Sequence, residues 1–208
     1  MTRIYVFDFD GTLTNFQTPD LFLERLISSR SIFRRTCMKV FTSKYFLFFM
    51  KHLFSNNRIR KNILTFLTIG INKSIIHRES VEFYYEAVRE NLNMSVVQEY
   101  VKHNSNPDNL LIIASAGFEN YIELFQKDFG GNIIVGNTIK CIKNISTGFL
   151  NSRDCYGIEK ISRISEILSE KELFFSLDAT YSDCLSDKPL FEKSKKKYFV
   201  SNGEIHEI

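Results

Sequence analysis

An α/β fold, a parallel sheet with a helical insertion after its first strand, is what this sequence predicts, and three observations carry it. The first is a short apolar, β-rich run from Ile4 to Phe7 that ends abruptly in two carboxylates, Asp8 and Asp10. The second is the stretch from 16 to 105, which reads as helical throughout. The third follows the turn Asn106-Pro107-Asp108, where short buried-strand runs alternate with helices. That alternation is the pattern of a parallel sheet with ligands at the carboxyl ends of its strands. At 208 residues the chain holds one sizeable domain, or a domain with an inserted cap. The expected division is 1–15 and 106–208 for the core and 16–105 for the cap.

Hydrophobic content of 44% and charged content of 25% are ordinary for a globular protein. Three prolines and no long Gly/Ser run argue against a flexible linker or a disordered tail. Cys37, Cys141, Cys155 and Cys184 form no close pair with metal-ligand spacing, and no signal peptide precedes Asp8. A reduced, cytoplasmic setting is therefore expected. The net charge of +3 hides an asymmetry. Arg25 to Arg78 holds twelve Lys and Arg and no acid, which leaves 3 − 12 = −9 for the rest. Opposite signs in two regions imply two modules with different neighbours.

After the first strand, Asn15 to Pro19 reads as a loop, and Pro19 suits the first turn of a helix. Leu21, Phe22, Leu23, Leu26 and Ile27 give that helix an apolar face. Ser31 to Phe54 is the longest helical candidate, with Met38, Phe41, Tyr45, Phe48, Phe49 and His52 on one stripe. The uninterrupted apolar run Tyr45 to Met50 is far short of the roughly 20 residues needed to span a bilayer. The stretch fits either a core helix of a bundle or an aromatic, basic helix that docks on an anionic membrane surface. Further helices are expected over Ile63 to Ile71, Lys73 to Arg89 and Ser95 to His103. His52, His77 and His103 lack metal-type spacing and read as surface or packing residues.

Beyond the turn at Pro107, strands are expected at Leu110 to Ala114, Ile133 to Val135, Leu173 to Leu177 and Tyr198 to Val200. A hairpin fits Thr138 to Ile142 with Ile145 to Leu150. Helices fit Phe118 to Phe129 and the run from Gly157 through Leu168, and Asp183 to Phe191 reads as loop and short helix.

Chemistry gathers at the strand ends. Residues two apart in a strand share a face, so Asp8 and Asp10 start out together. Their repulsion favours a divalent cation, and Gly11 permits a sharp turn close to an anion. One Asp can act as nucleophile while the other handles a proton. A solvated turn or a calcium loop is the alternative, though calcium loops sit in polar, acidic stretches. Ser115, in Ser115-Ala116-Gly117, can hold a phosphate at a helix start or merely cap the helix. Lys160 offsets negative charge, or is a surface lysine. Asp183 and Asp187 complete a magnesium site, or are a cap and a surface acid.

Asp8-Phe9-Asp10-Gly11-Thr12-Leu13-Thr14, Ser115-Ala116-Gly117, Lys160 and the Asp183…Asp187 segment, taken in that order, resemble the four motifs of the haloacid dehalogenase superfamily. The resemblance covers the whole chain; within the superfamily it is to the phosphoserine-phosphatase-like branch, and there most of all to the phosphatidylglycerophosphate phosphatases. Ser182 and Cys184 depart from the usual motif residues without removing a carboxylate. The resemblance implies a Rossmann-like parallel core with an all-helical cap and a magnesium-dependent phosphatase. Asp8 would be the nucleophile and Asp10 the acid and base. Mg2+ would be held by Asp8, the Asp10 carbonyl and Asp183, with Asp187 in support. Thr12, Ser115, Ala116 and Lys160 would bind the phosphoryl group.

The expected substrate is a phosphorylated small molecule or a lipid phosphate such as phosphatidylglycerophosphate. The basic, aromatic cap then implies peripheral contact with an anionic membrane at its inner face. Phosphoserine would call for a cap carboxylate facing its amine, and Glu24 is the only early candidate. A non-catalytic phosphate- or membrane-binding module is the contrasting class. No nucleic-acid motif is visible.

Overall fold

The computed structural model describes residues 2–28, 32–48 and 58–208. Its centre is a six-stranded sheet in the order β3-β2-β1-β6-β7-β8. The strands are β1 (Arg3–Phe7), β2 (Asn109–Phe118), β3 (Ile133–Asn137), β6 (Leu177–Ser182), β7 (Ser194–Ser201) and β8 (Glu204–Glu207). A separate hairpin is made by β4 (Ile139–Ile142) and β5 (Ile145–Leu150). All neighbours in the large sheet are parallel except β7 and β8. Strand β1 is central, with β2 on one side and β6 on the other. Its carboxyl end, where Asp8 follows, is therefore the point where the strand order reverses and a crevice opens.

The insertion carries α1 (Thr18–Ser28), α2 (Ile32–Phe41), α3 (Ile59–Leu67), α4 (Lys73–Phe83) and α5 (Met94–Asn104). The core adds α6 (Glu119–Phe129), α7 (Ile158–Glu170) and the short α8 (Lys188–Glu192). Alternation along β1 divides the interior. Tyr5 and Phe7 join Phe22, Phe83, Tyr100, Tyr121 and Phe125 in one buried cluster. Ile4 and Val6 join Ile164, Leu168 and Leu190 in the other. Helix α5 lies directly on the sheet, with His103 stacked 3.9 Å from Tyr5. Part of the abundant Phe packs here: Phe22 sits 5.1–5.5 Å from the rings of Phe83, Phe118 and Tyr121. Each such fully buried ring contributes about 2–3 kcal/mol.

Several expectations are corrected. The helix expected over Ser31 to Phe54 breaks at Thr42-Ser43. Thr42 turns its hydroxyl back onto the Met38 carbonyl at 2.7 Å, and a new helical turn over 44–48 starts from Ser43. Tyr45 and Phe48 of the stripe are 90% and 77% exposed, and Phe49 and His52 lie outside the described residues.

The strand expected at Leu173 to Leu177 begins only at Leu177, and Phe174 is 86% exposed. A turn at Lys171-Glu172, with Glu172 at φ 57°, delays it. The true strand hides behind polar letters because Asp178 accepts the Ile4 N–H at 2.9 Å and Thr180 pairs with Ser194. The chain also ends one strand later than expected. Asn202-Gly203, both at positive φ, form the two-residue turn that folds β8 onto β7.

Candidate active site

Asp8 follows β1 directly, and its Oδ1 accepts the Phe9 N–H at 2.8 Å and the Lys160 ammonium at 3.0 Å. Lys160, on the first turn of α7, is 3% exposed. Its Nζ also donates to Asp187 Oδ2 at 2.7 Å, where the Ser182 hydroxyl converges at the same distance. Asp187 is fully buried, and its Oδ1 has no hydrogen-bond partner. Asp183 is tied to the β1 turn: its N–H donates to Thr12 Oγ1 at 2.9 Å, and that hydroxyl lies 3.1 Å from Asp183 Oδ1. Gly11, at φ 76°, sits so close to this carboxylate that a Cβ there would lie 2.1 Å from Asp183 Oδ2. Only glycine fits between the turn and the acid.

Burial pushes the Asp8 carboxyl well above its usual range; Asp187, Asp10 and Asp183 add to this, and Lys160 opposes it. Burial likewise raises Asp183, against its bond to Thr12. Burial works against the Lys160 ammonium, yet Asp8 and Asp187 outweigh it and hold its proton more tightly. Asp8 and Asp187 thus share one ammonium while Asp10 and Asp183 add negative charge near Asp8, and such an excess of buried negative charge calls for a cation. The donors are all oxygen, as a hard ion such as Mg2+ requires. Among the described residues no three acidic, His or Cys side chains gather as a metal site. The buried Asp187 Oδ1, which has no hydrogen-bond partner, and the oxygen-only donors of Asp8 and Asp183 fit such an ion.

Asp10 is held separately. Its Oδ1 accepts the Thr18 N–H at 2.8 Å and the Thr18 hydroxyl at 2.5 Å, and its Oδ2 accepts the Ser115 hydroxyl at 2.8 Å. Thr18 in turn lies 2.5 Å from the Tyr121 hydroxyl. Burial, reinforced by Asp10, keeps that phenol protonated far into alkali.

The β2–β3 register shifts between Ala114 and Phe118, so residues 115–117 form an irregular end of β2, where the sequence predicts a helix start. Ser115 Oγ accepts the Gly117 N–H at 2.7 Å. The Ala116 carbonyl accepts Lys61 Nζ and Asn137 Nδ2, each at 2.7 Å, and both donors also reach Asp154 Oδ1 at 2.5 and 2.8 Å. Lys61 comes from α3 and is 4% exposed. An insertion residue therefore braces the end of β2 that carries Ser115.

The hollow between these groups is small, about 60 Å³. Asp8, Asp10, Ala116, Lys160 and Asp183 line it; Thr12, Ser115 and Asp187 sit behind them. Its mouth is completed by Gln17, Arg58 and Tyr156, with the Arg58 guanidinium 4.4 Å from the Tyr156 ring centroid. Arg58 Nε also lies 2.6 Å from Asp154 Oδ2. Larger hollows of about 340 and 610 Å³ around Arg3 and Asp178 contain none of the strand-end acids. Sequence reasoning missed Thr18, Lys61, Tyr121, Asn137 and Asp154. Only Thr18 left a signal, a hydroxyl before Pro19 at a helix start.

A family model described as haloacid dehalogenase-like hydrolase matches residues 5–192. Solved structures that share the fold include the following three. A Bordetella pertussis Tohama I protein of unknown function is 16% identical, with 95% of this chain and 89% of that one covered, at a TM-score of 0.77. A phosphoserine phosphatase in apo form is 16% identical over 95% and 85% of the two chains, at 0.62. A phospho-aspartyl intermediate analogue of phosphoserine phosphatase is 16% identical over 94% and 85%, also at 0.62. No curated protein matches the chain by sequence.

Proposed function

Since the chain belongs to the haloacid dehalogenase-like hydrolase family, we propose that it is a magnesium-dependent phosphomonoesterase acting through an aspartyl-phosphate. The observation that carries this reading is the separation of duties at the β1 turn. Asp8 faces the pocket with its charge held by Lys160, while Asp10, two residues on, is fixed by Thr18 and Ser115. A structural neighbour described as a phospho-aspartyl intermediate analogue lends support from the same fold.

In the first step an Asp8 oxygen attacks phosphorus, the ester P–O bond breaks, and Asp10 gives its proton to the departing alkoxide. In the second, water attacks the phosphorus of the aspartyl-phosphate, Asp10 takes its proton, and Asp8 and inorganic phosphate are released. Lys160 and the Ala116 and Gly117 segment position the phosphoryl oxygens, so the task is mainly placement and charge neutralisation. Mg2+, held by Asp8, the Asp10 carbonyl and Asp183 with Asp187 beside it, would supply further neutralisation of phosphoryl charge.

The pocket also speaks to substrate class. Among the described residues the carboxylates that line it are Asp8, Asp10 and Asp183, and Glu24 is engaged by Arg60. No further acid among the described residues lines the hollow for a substrate ammonium, whereas Arg58, paired with Asp154, adds positive charge to its lining. A lipid phosphate such as phosphatidylglycerophosphate is the first reading. A small soluble ester is the second, favoured by the 60 Å³ hollow.

Phosphate release from an aryl phosphate, phosphoserine, sugar phosphates, nucleotides and phosphatidylglycerophosphate is the test, with and without magnesium. Turnover should require the metal and fall roughly 10⁴-fold or more in Asp8→Asn. Residual turnover near wild type in that variant would overturn the nucleophile assignment.

A further inference from the structure

Residues 62–78 of the insertion and 139–153 of the core contain no Asp or Glu, and the fold joins them. The β4–β5 hairpin closes on Lys143-Asn144, at φ 48° and 64°, the type I′ geometry of a tight turn. The chain after α3 runs along this hairpin. Gly70 N–H donates to the Ser146 carbonyl at 2.8 Å, Ser146 N–H to the Ile71 carbonyl at 2.8 Å, and Lys73 N–H to the Asn144 carbonyl at 2.7 Å. Gly148 admits α3, for a Cβ there would lie 2.8 Å from the Phe66 carbonyl oxygen.

The joint gathers apolar side chains that nothing among the described residues covers. Phe66 and Phe149 meet edge to face at 6.3 Å, and Ile142 pairs with Ile145 across the hairpin. With Ile69, these five are 41–61% exposed. Lys73, Lys140 and Lys143 stand exposed around them, and the two segments supply no acid to neutralise them.

We propose that this joint docks the protein peripherally on an anionic lipid surface. Apolar groups flanked by lysines that make no ion pair among the described residues match the boundary between acyl chains and phosphate headgroups. Three of the five apolar residues are isoleucines, which offer no plane for stacking nucleic-acid bases. A two-fold contact with a second copy would set the same lysines against each other with no acid between. Helix α3 runs from Arg58 at the pocket mouth to Phe66, about 12 Å along its axis. Docking would thus bring the mouth close to the headgroup layer. The proposal extends the lipid-phosphate reading above, but binding alone tests it.

Cosedimentation of the Asp8→Asn chain with vesicles measures that binding without turnover. The vesicles would be phosphatidylglycerol mixed with phosphatidylcholine, or phosphatidylcholine alone. Binding should favour the anionic vesicles and weaken with salt. Substituting Lys73, Lys140 and Lys143 together by Gln should weaken it about a hundredfold, at about fivefold per lysine. Phe66→Ser with Phe149→Ser should cost at least about tenfold. In the active chain the same substitutions should leave aryl-phosphate hydrolysis unchanged, so a failed docking and a failed phosphatase reading give different results. Equal partition to neutral and anionic vesicles, or binding indifferent to these substitutions, would overturn the proposal. So would substitutions that abolish self-association while vesicle binding is absent.

Discussion

The core side of the pocket and the insertion side use charge differently. In the core, Lys160 bridges Asp8 and Asp187 with every partner under 10% exposed. In the insertion, Arg25 fans across Glu79, Glu82 and Glu86 at 2.8–3.2 Å, and Arg60 reaches Asp20 and Glu24, mostly at partly exposed positions. Buried pairs are unforgiving once one partner is lost, whereas exposed pairs are screened and individually weak. The core therefore holds one charge arrangement, and the insertion has latitude to vary. Lys61 and Glu79 are the exceptions: both belong to the insertion by sequence and are buried.

The largest expected effect tests the contrast directly. Asp187→Ala strips Lys160 of a buried partner and should cost about 3 kcal/mol or more of folding stability. Arg25→Met removes contacts to exposed Glu82 and Glu86 and to buried Glu79, which keeps Arg78 as a partner, and should cost about 1 kcal/mol. Denaturant unfolding of both variants measures the difference. Equal losses would break the comparison.

Next comes Lys61. Burial lowers its proton affinity, with Asp154 opposing, so it sheds its proton at lower pH than an ordinary lysine. If its charge braces the Ala116 carbonyl, Lys61→Met should lower kcat about tenfold with a smaller change in KM, as for a misplaced catalytic loop. Lys61→Arg should restore most of the rate and shift the alkaline fall of activity to higher pH. A Lys61→Met enzyme with wild-type kcat would remove the insertion from the chemistry.

The same contrast decides what was legible in the sequence. The β1 turn is readable because its chemistry is local: an apolar run, two acids two apart, and a glycine that no other residue can replace. Lys160 and Asp187 are legible only through motif order, since nothing near either one in sequence reveals that they meet at 2.7 Å. Lys61, Asn137 and Asp154 converge from three separate segments and carry no local pattern at all. The β6 strand was hidden for a related reason. Its Asp178, Thr180 and Ser182 satisfy their polarity against Ile4, Ser194 and Asp187, so a central strand reads as a polar stretch. The break at Thr42-Ser43 shows the reverse: a helical stripe can persist across a hydroxyl pair that ends the helix.

The smallest expected effect lies where α5 meets the sheet. His103 stacks on Tyr5, and its Nε2 lies 3.1 Å from both the Tyr181 hydroxyl and Glu99. Burial lowers its proton affinity and Lys102 adds to this, while Glu99 opposes. The folded His103 therefore titrates below its unfolded value near 6.5. Between the two values the unfolded chain binds the extra proton, so stability rises with pH through that window and is lost as pH falls below about 6.5. His103→Phe keeps the stacking and removes the titration. Unfolding free energies at about pH 7.5 and 5.5 should show a shallower acid loss in the variant, by less than about 1 kcal/mol. A steeper loss in the variant would mean that the charged form, paired with Glu99, is the one the fold prefers. This interface would then join the insertion's partly exposed ion pairs rather than the buried core.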